Sequence, residues 1–333
     1  MSGMNRAIFA GRWYSDDPRR LAADLEGYRT QAAEISSRDL SSRITPERNT
    51  PDRIAADRVP RDHALVHGAV LPHAGLAYSG RGIAHAFTGG VLDLDSIRRV
   101  LILSPSHYVP LRPTTLLVET FDTHETPFGS LVGEPSFALR LAKEIGDEAR
   151  IANEVIEMEH GTEMFLPFLK RYTPDAAVSL VLVPEISGED RLDRWSDAIR
   201  SSVADEDTLL VMSSDFTHYG PRFDYTPFGT PDRRKNADTI AADVAEDDRR
   251  VAEWIATHDT AALRARMARP ITVCGRFPIV LGLEVLYRGV TRRRPGRVVD
   301  YYTSREIGGG DDSNFVCYGS ILFPDQPERS RKA

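Results

Sequence analysis

The sequence predicts an α/β protein, with a mixed central sheet flanked by helices on both faces, in a single domain spanning residues 1–333. Two observations carry this. Short apolar runs of strand length recur along the chain, of the kind shown by strands buried on both faces. Helical patterns lie between several of them, and such alternation indicates a sheet with helices packed on it. At 333 residues the chain can bury a large core, and length alone allows one big domain or two ordinary ones.

In chain order, Ser15 or Asp16 is placed to cap a first helix running to about Ser36, with Leu21, Leu25 and Tyr28 on one face. Residues 37–62 are rich in Arg, Asp, Ser and Pro and read as an exposed insertion, a loop and not a domain boundary. The strand-like runs are Ala64–Leu71, Val100–Leu103, Val178–Val183, Thr208–Met212 and Phe315–Phe323, the last an antiparallel addition. Helical patterns cover Ser136–Ile145, Arg191–Val203, Asn236–Thr257 and Ala261–Met267, and an apolar helix runs through Tyr287. There is no internal repeat.

Composition excludes several functions. Hydrophobic residues make up 41% and charged residues 27%, ordinary for a water-soluble domain. A net charge of −7 argues against non-specific nucleic-acid binding, which needs a basic surface. No run of about 18 apolar residues could span a bilayer, and the first 25 residues lack the apolar core of a signal peptide, so the expected location is cytoplasmic. Cys274 and Cys317 are the two cysteines, too few for a disulfide framework, and no C-x-x-C occurs.

The chemistry gathers at strand ends. Three apolar runs close with Pro72-His73-Ala74-Gly75, with Ser104-Pro105-Ser106-His107, and with Ser213-Ser214-Asp215-Phe216-Thr217-His218. Open α/β sheets bind ligands beyond the carboxyl ends of their strands, so these segments can converge on one crevice. His73 and His107 read as metal ligands. His160, in Glu159-His160-Gly161-Thr162-Glu163, and His218 stand open between ligand, acid/base group and support of a ligand. Asp215 is equally open between ligand, proton acceptor and cap of a following helix. Cys274 precedes an apolar helix, where the helix dipole favours a thiolate able to ligate or to attack. Other candidates take structural readings: His85 as a hydrogen-bonded residue, Cys317 as core, Trp13 and Tyr14 as a staple for the first helix. His63, His67, His124 and His258 sit in polar or mixed sequence and carry no functional weight.

These segments, with Ala10-Gly11-Arg12-Trp13-Tyr14, Tyr78-Ser79-Gly80, Glu163-Met164, Cys274-Gly275-Arg276-Phe277-Pro278, Asp312-Ser313 and Tyr318-Gly319, resemble the Memo family in order and spacing from about residue 6 to 323. The bacterial branch of that family is called AmmeMemoRadiSam system protein B. The resemblance implies a fold similar to class III extradiol dioxygenases. It also implies a metal held by His73, His107 and Cys274, with iron or copper redox chemistry; beside such a metal His160, Asp215 and His218 are the candidate catalytic groups. Radical SAM and AMMECR-like proteins are the partners it implies. A dioxygenase acting on an aromatic diol and a non-catalytic partner-binding module are the alternatives; zinc hydrolysis has no H-E-x-x-H motif behind it. Two departures stand out. Animal members carry histidines where this chain has Phe9 and Phe165, which makes the pocket more apolar and weighs against a peptide-binding role. The 37–62 insertion has no obvious counterpart there.

Overall fold

The structure is a computed structural model that describes residues 3–37, 66–88, 92–203, 207–231, 236–290, 293–308 and 311–323. Its strands are β1 (Met4–Asn5), β2 (Val66–Leu71), β3 (Arg99–Ser104), β4 (Leu116–Val118), β5 (Thr123–His124), β6 (Leu131–Val132), β7 (Ala149–Ile151), β8 (Ala177–Leu182), β9 (Thr208–Ser213), β10 (His218–Tyr219), β11 (Arg297–Thr303) and β12 (Phe315–Phe323). Its helices are α1 (Pro18–Ser37), α2 (Leu76–Ala84), α3 (Pro135–Ile145), α4 (Asn153–Glu157), α5 (His160–Glu163), α6 (Leu166–Tyr172), α7 (Glu189–Val203), α8 (Ala237–Thr257), α9 (Thr260–Met267) and α10 (Arg276–Tyr287).

A nine-stranded mixed sheet runs β10-β12-β2-β9-β3-β8-β4-β7, with β11 paired to β12. The stretch β2-β9-β3-β8 is parallel, and β12 joins β2 antiparallel. Side chains on a strand alternate between faces, so a strand apolar at every position must be covered twice. That is the case here. Leu101, Leu103, Leu210 and Met212 pack on one face with Trp195 of α7, Ile255 of α8 and Leu281 of α10. Val100, Ile102, Leu209 and Val211 pack on the other with Leu21 and Leu25 of α1, Ile83 of α2 and Phe168 of α6. Each fully buried aliphatic chain contributes about 1.5–3 kcal/mol. Gly282 lets α10 settle onto β9, since a Cβ there would strike Met212.

Each expected strand and helix is present within two residues of its expected bounds, except that residues 64 and 65 of the first strand lie outside the described residues. The first cap is corrected: Asp17, not Ser15 or Asp16, caps α1, accepting from Arg20 N–H at 2.8 Å. With Pro18 as the first helical residue, Asp17 is the position whose carboxylate reaches that free amide. Of the expected insertion, residues 38–62 lie outside the described residues, as does His63; residue 37 closes α1. No helix among the described residues is long and apolar enough to cross a membrane.

Candidate metal centre

In the sheet β9 lies between β2 and β3, so three parallel strands end side by side, and each runs on into a segment bearing an imidazole. β2 runs into His73, β3 into His107, and β9 into Asp215 and His218. The other site elements arrive from outside the sheet. The turn into α5 delivers Glu159 and His160, and the segment before α10 delivers Cys274. Gly275 lies against the end of β9, where a Cβ would collide with Ser213 O and Ser214. Gly161 passes close to Ser104 and His73 in the same way.

His73, His107 and His160 form a group able to hold a metal ion, their candidate ligand nitrogens all within 4.8 Å of one another. Their ring centroids are 4.2 to 5.3 Å apart. Cys274 Sγ lies 3.2 Å from His73 Nε2. The fit to a cation rests on how the rings are held. Ser213 Oγ donates to Gly161 O at 2.6 Å, so it accepts from His73 Nδ1–H at 2.5 Å. Glu159 Oε1 accepts His107 Nδ1–H at 2.7 Å, and Oε2 accepts the His107 backbone N–H at 2.7 Å. His160 Nδ1 is 3.0 Å from Tyr108 Oη and 3.3 Å from the Glu159 carboxylate, which favours a proton on that nitrogen. With Nδ1 engaged on each ring, Nε2 is left as the ligating nitrogen: it carries the lone pair on His73 and His160, and on His107 it does so once the ring gives up its second proton, an arrangement in which outer hydrogen bonds orient ligating histidines.

Electrostatics agree. Burial, reinforced by the neighbouring imidazoles, pushes His73 well below its ordinary value, so it is neutral. Burial and His107 bring His160 down to about 4. At His107 burial pulls downward, but Cys274 and Glu159 outweigh it and raise the group to about 10. A metal ion at this position would take the place of that proton.

The remaining expected residues are nearby but engaged differently. Asp215 is buried, and its Oδ1 accepts the His73 backbone N–H at 2.8 Å while its own N–H points at Cys274 Sγ, 3.3 Å away. It caps no helix, because the chain continues into β10. His218 Nδ1 faces the carbonyls of Phe216 and Thr272 at 3.1 and 3.0 Å, which leaves its Nε2 bare. Trp13 lines the cavity, whereas Tyr14 donates to Glu163 at 2.7 Å and ties down the N-terminal segment. Phe9 is buried with its ring 6.0 Å from His160, so the first departure adds an apolar wall there. Phe165 is buried in the core below. Cys317 is core, and His85 bonds Asp300 at 3.2 Å, both as expected. His67, His124 and His258, expected in polar surroundings, are instead buried, because their neighbours in sequence form strands or cap a long helix. None of the three lines the cavity.

Ser213 and Tyr108 carry no role legible in the sequence, and neither does the pairing of Glu159 with His107. The adjacency of Glu159 to His160 was a signal for itself only; nothing in the sequence placed it 52 positions away against His107. The cavity above the imidazoles has a volume of about 610 Å³.

Fold and site together define an α/β protein with an imidazole-rich, metal-capable pocket at the strand ends. The family described as Memo-like protein matches residues 5–322. The chain belongs to the Memo family. It is 31% identical to Protein MEMO1 of Xenopus laevis over 66% of this chain and 64% of that one. It is 28% identical to Protein memo-1 homolog of Caenorhabditis elegans over 76% and 71%, and to a MEMO1 family protein of Thermococcus onnurineus over 76% and 85%. The match thus spans slightly less than two thirds of the length of the Xenopus relative.

Proposed function

We propose that this chain is a metal-dependent oxidoreductase in which His73, His107 and Cys274 hold an iron or copper ion. The observation that carries the reading is the pair of anchored rings: Ser213 and Glu159 take the Nδ1 protons, which leaves both Nε2 atoms to a metal beside the thiol, the His107 Nε2 proton being the one a metal would displace. Thiolate with imidazole suits Cu(I), iron or zinc. A bound iron or copper ion would supply electron-transfer or dioxygen-activating chemistry, with a position left for substrate.

The rest of the site handles protons and shape. His160 is neutral above a pH of about 4, so it can accept a proton from a group in the cavity at Nε2 while Tyr108 and Glu159 steady Nδ1. The Nε2 of His218 offers a second acceptor. Asp215 holds the His73 backbone and its own N–H approaches the sulfur, so its part is to position the ligands. This employment of Oδ1 speaks against Asp215 completing a two-histidine, one-carboxylate iron site, and so against simple catechol ring opening.

A second reading follows from the close approach of the three imidazoles: His160 is the third ligand and Cys274 an adjoining thiol. One experiment covers both. Metal content is measured on anaerobically purified full-length protein and on His73→Ala, His107→Ala, Cys274→Ala, His160→Ala and the triple His73/His107/Cys274 variant. Loss of iron or copper in the first three with retention in His160→Ala supports the proposal. The opposite ranking of Cys274 and His160 favours the second reading, and undiminished metal in the triple variant overturns the site.

A further inference from the structure

The imidazoles form only the floor of the cavity; its walls and rim carry separate information. Trp13 lies on one side with its ring 4.5 Å from that of His160. Phe223 also lines the cavity and stands edge-on to His218, with ring centroids 5.3 Å apart. Tyr318, buried, and Phe315 continue the lining. The lining thus carries four aromatic side chains, Trp13, Phe223, Phe315 and Tyr318, which favours a flat apolar body through stacked and edge-to-face contacts. A volume of about 610 Å³ fits the range of roughly 300–1,000 Å³ found for small-ligand pockets.

The rim is positive. Arg12 and Arg222 both line the cavity and are both solvent-exposed. Arg12 is steadied by a bond to Ile8 O at 3.0 Å, and the Arg222 backbone N–H is held by Asn314 Oδ1 at 2.8 Å. Among the described residues neither guanidinium has a salt bridge. Among the described residues the exposed acid of the lining is Asp311, which accepts the N–H groups of Ser313 and Asn314 at 2.7 and 2.5 Å and so remains a carboxylate, whereas the other lining acid, Asp215, is buried at the floor and accepts the His73 backbone N–H. Two guanidinium groups against one carboxylate leave a single positive charge. That matches a monoanion, and the planar fork of arginine matches a carboxylate.

We propose that the cavity takes a small aromatic carboxylate, its ring system against the aromatic lining that includes Trp13 and Phe223 and its carboxylate held at the rim by Arg222 and Arg12. This rests on reading the cavity as the substrate side of the proposed metal centre, so the test uses metal-free protein and does not depend on metal content. Calorimetric titration compares 2-naphthoate, its uncharged isostere 2-naphthamide, the ringless acetate and the dianionic 2-naphthyl phosphate. The expected result is binding of 2-naphthoate with a Kd of about 1 mM or tighter, about tenfold or more ahead of the amide and of acetate. Arg222→Ala and Arg12→Ala should each shrink the naphthoate-to-amide ratio while leaving binding of the amide unchanged. Equal binding of acid and amide, no binding of either, a ratio untouched in both variants, or tighter binding of the phosphate would overturn the assignment. Loss of metal from His73→Ala with any of these outcomes would leave the metal site standing and remove only the ligand.

Discussion

Replacing Glu159 by glutamine should damage the metal centre although no candidate ligand is changed. The carboxylate is 1% exposed and accepts three N–H groups: His107 Nδ1–H and Gly161 N–H on Oε1, and the His107 backbone N–H on Oε2. A glutamine of the same shape can turn its single oxygen toward the first two, but its NH₂ then faces the His107 backbone N–H, donor against donor. One buried donor left unsatisfied costs about 1–3 kcal/mol, and exchanging charged acceptors for neutral ones costs about 1 kcal/mol more. For a chain of 333 residues, with an unfolding entropy of about 2.1 cal/mol/K per residue, the melting temperature should fall by roughly 3–6 °C. The His107 Nδ1–H then rests on a neutral amide oxygen in place of a carboxylate, and the His107 backbone is no longer tied down, so the ring is held less firmly and metal affinity should fall roughly 10- to 100-fold. Anaerobic competition against a chelator, with Fe(II) and with Cu(I), measures the affinity, and thermal unfolding of the metal-free variant measures the stability. A variant that binds both metals within about twofold of the parent, or that unfolds at the same temperature, would refute the role given to Glu159.

Two further predictions concern the same neighbourhood. Because His107 is raised to about 10 in the folded protein, it binds protons more tightly than in the unfolded chain. Its contribution to stability is therefore complete below about pH 6.5 and is lost as pH rises through about 10. Melting temperatures of metal-free protein should decline across that window, and the decline should shrink in Cys274→Ala; equal slopes in the two proteins would contradict the assigned cause. Beneath the site, Thr217 Oγ1 donates to the buried Asp248 carboxylate at 2.7 Å, with Tyr301 donating to the other oxygen at 2.8 Å. Thr217→Val removes the hydroxyl donor at nearly constant volume and should cost about 1–3 kcal/mol in denaturant unfolding; a change below about 0.5 kcal/mol, the size of an ordinary surface substitution, would show that the bond carries no weight.

The sequence alone determined the layered α/β architecture, because strands such as Val100–Leu103 and Thr208–Met212 are apolar at every position and can persist only when covered on both faces. It also determined that His73, His107, Asp215 and His218 would share one edge of the sheet, since residues just past the ends of parallel strands have nowhere else to go. The short strands β4, β7 and β10, and the longer β11, were not legible. The first three are held by neighbours distant in sequence, and β11 follows an arginine-rich stretch of sequence that hides its pattern. Sequence could not order the strands either. Only the folded chain inserts β9 between β2 and β3, and that insertion brings His73 and His107 to a centroid distance of 4.9 Å. The placement of Cys274 against His73, the seating of His160 among the imidazoles, and the clasp of Glu159 on His107 are likewise tertiary facts. They join segments 201, 87 and 52 positions apart, and contact between such segments depends on how helices pack on the sheet, which no local pattern of residues records.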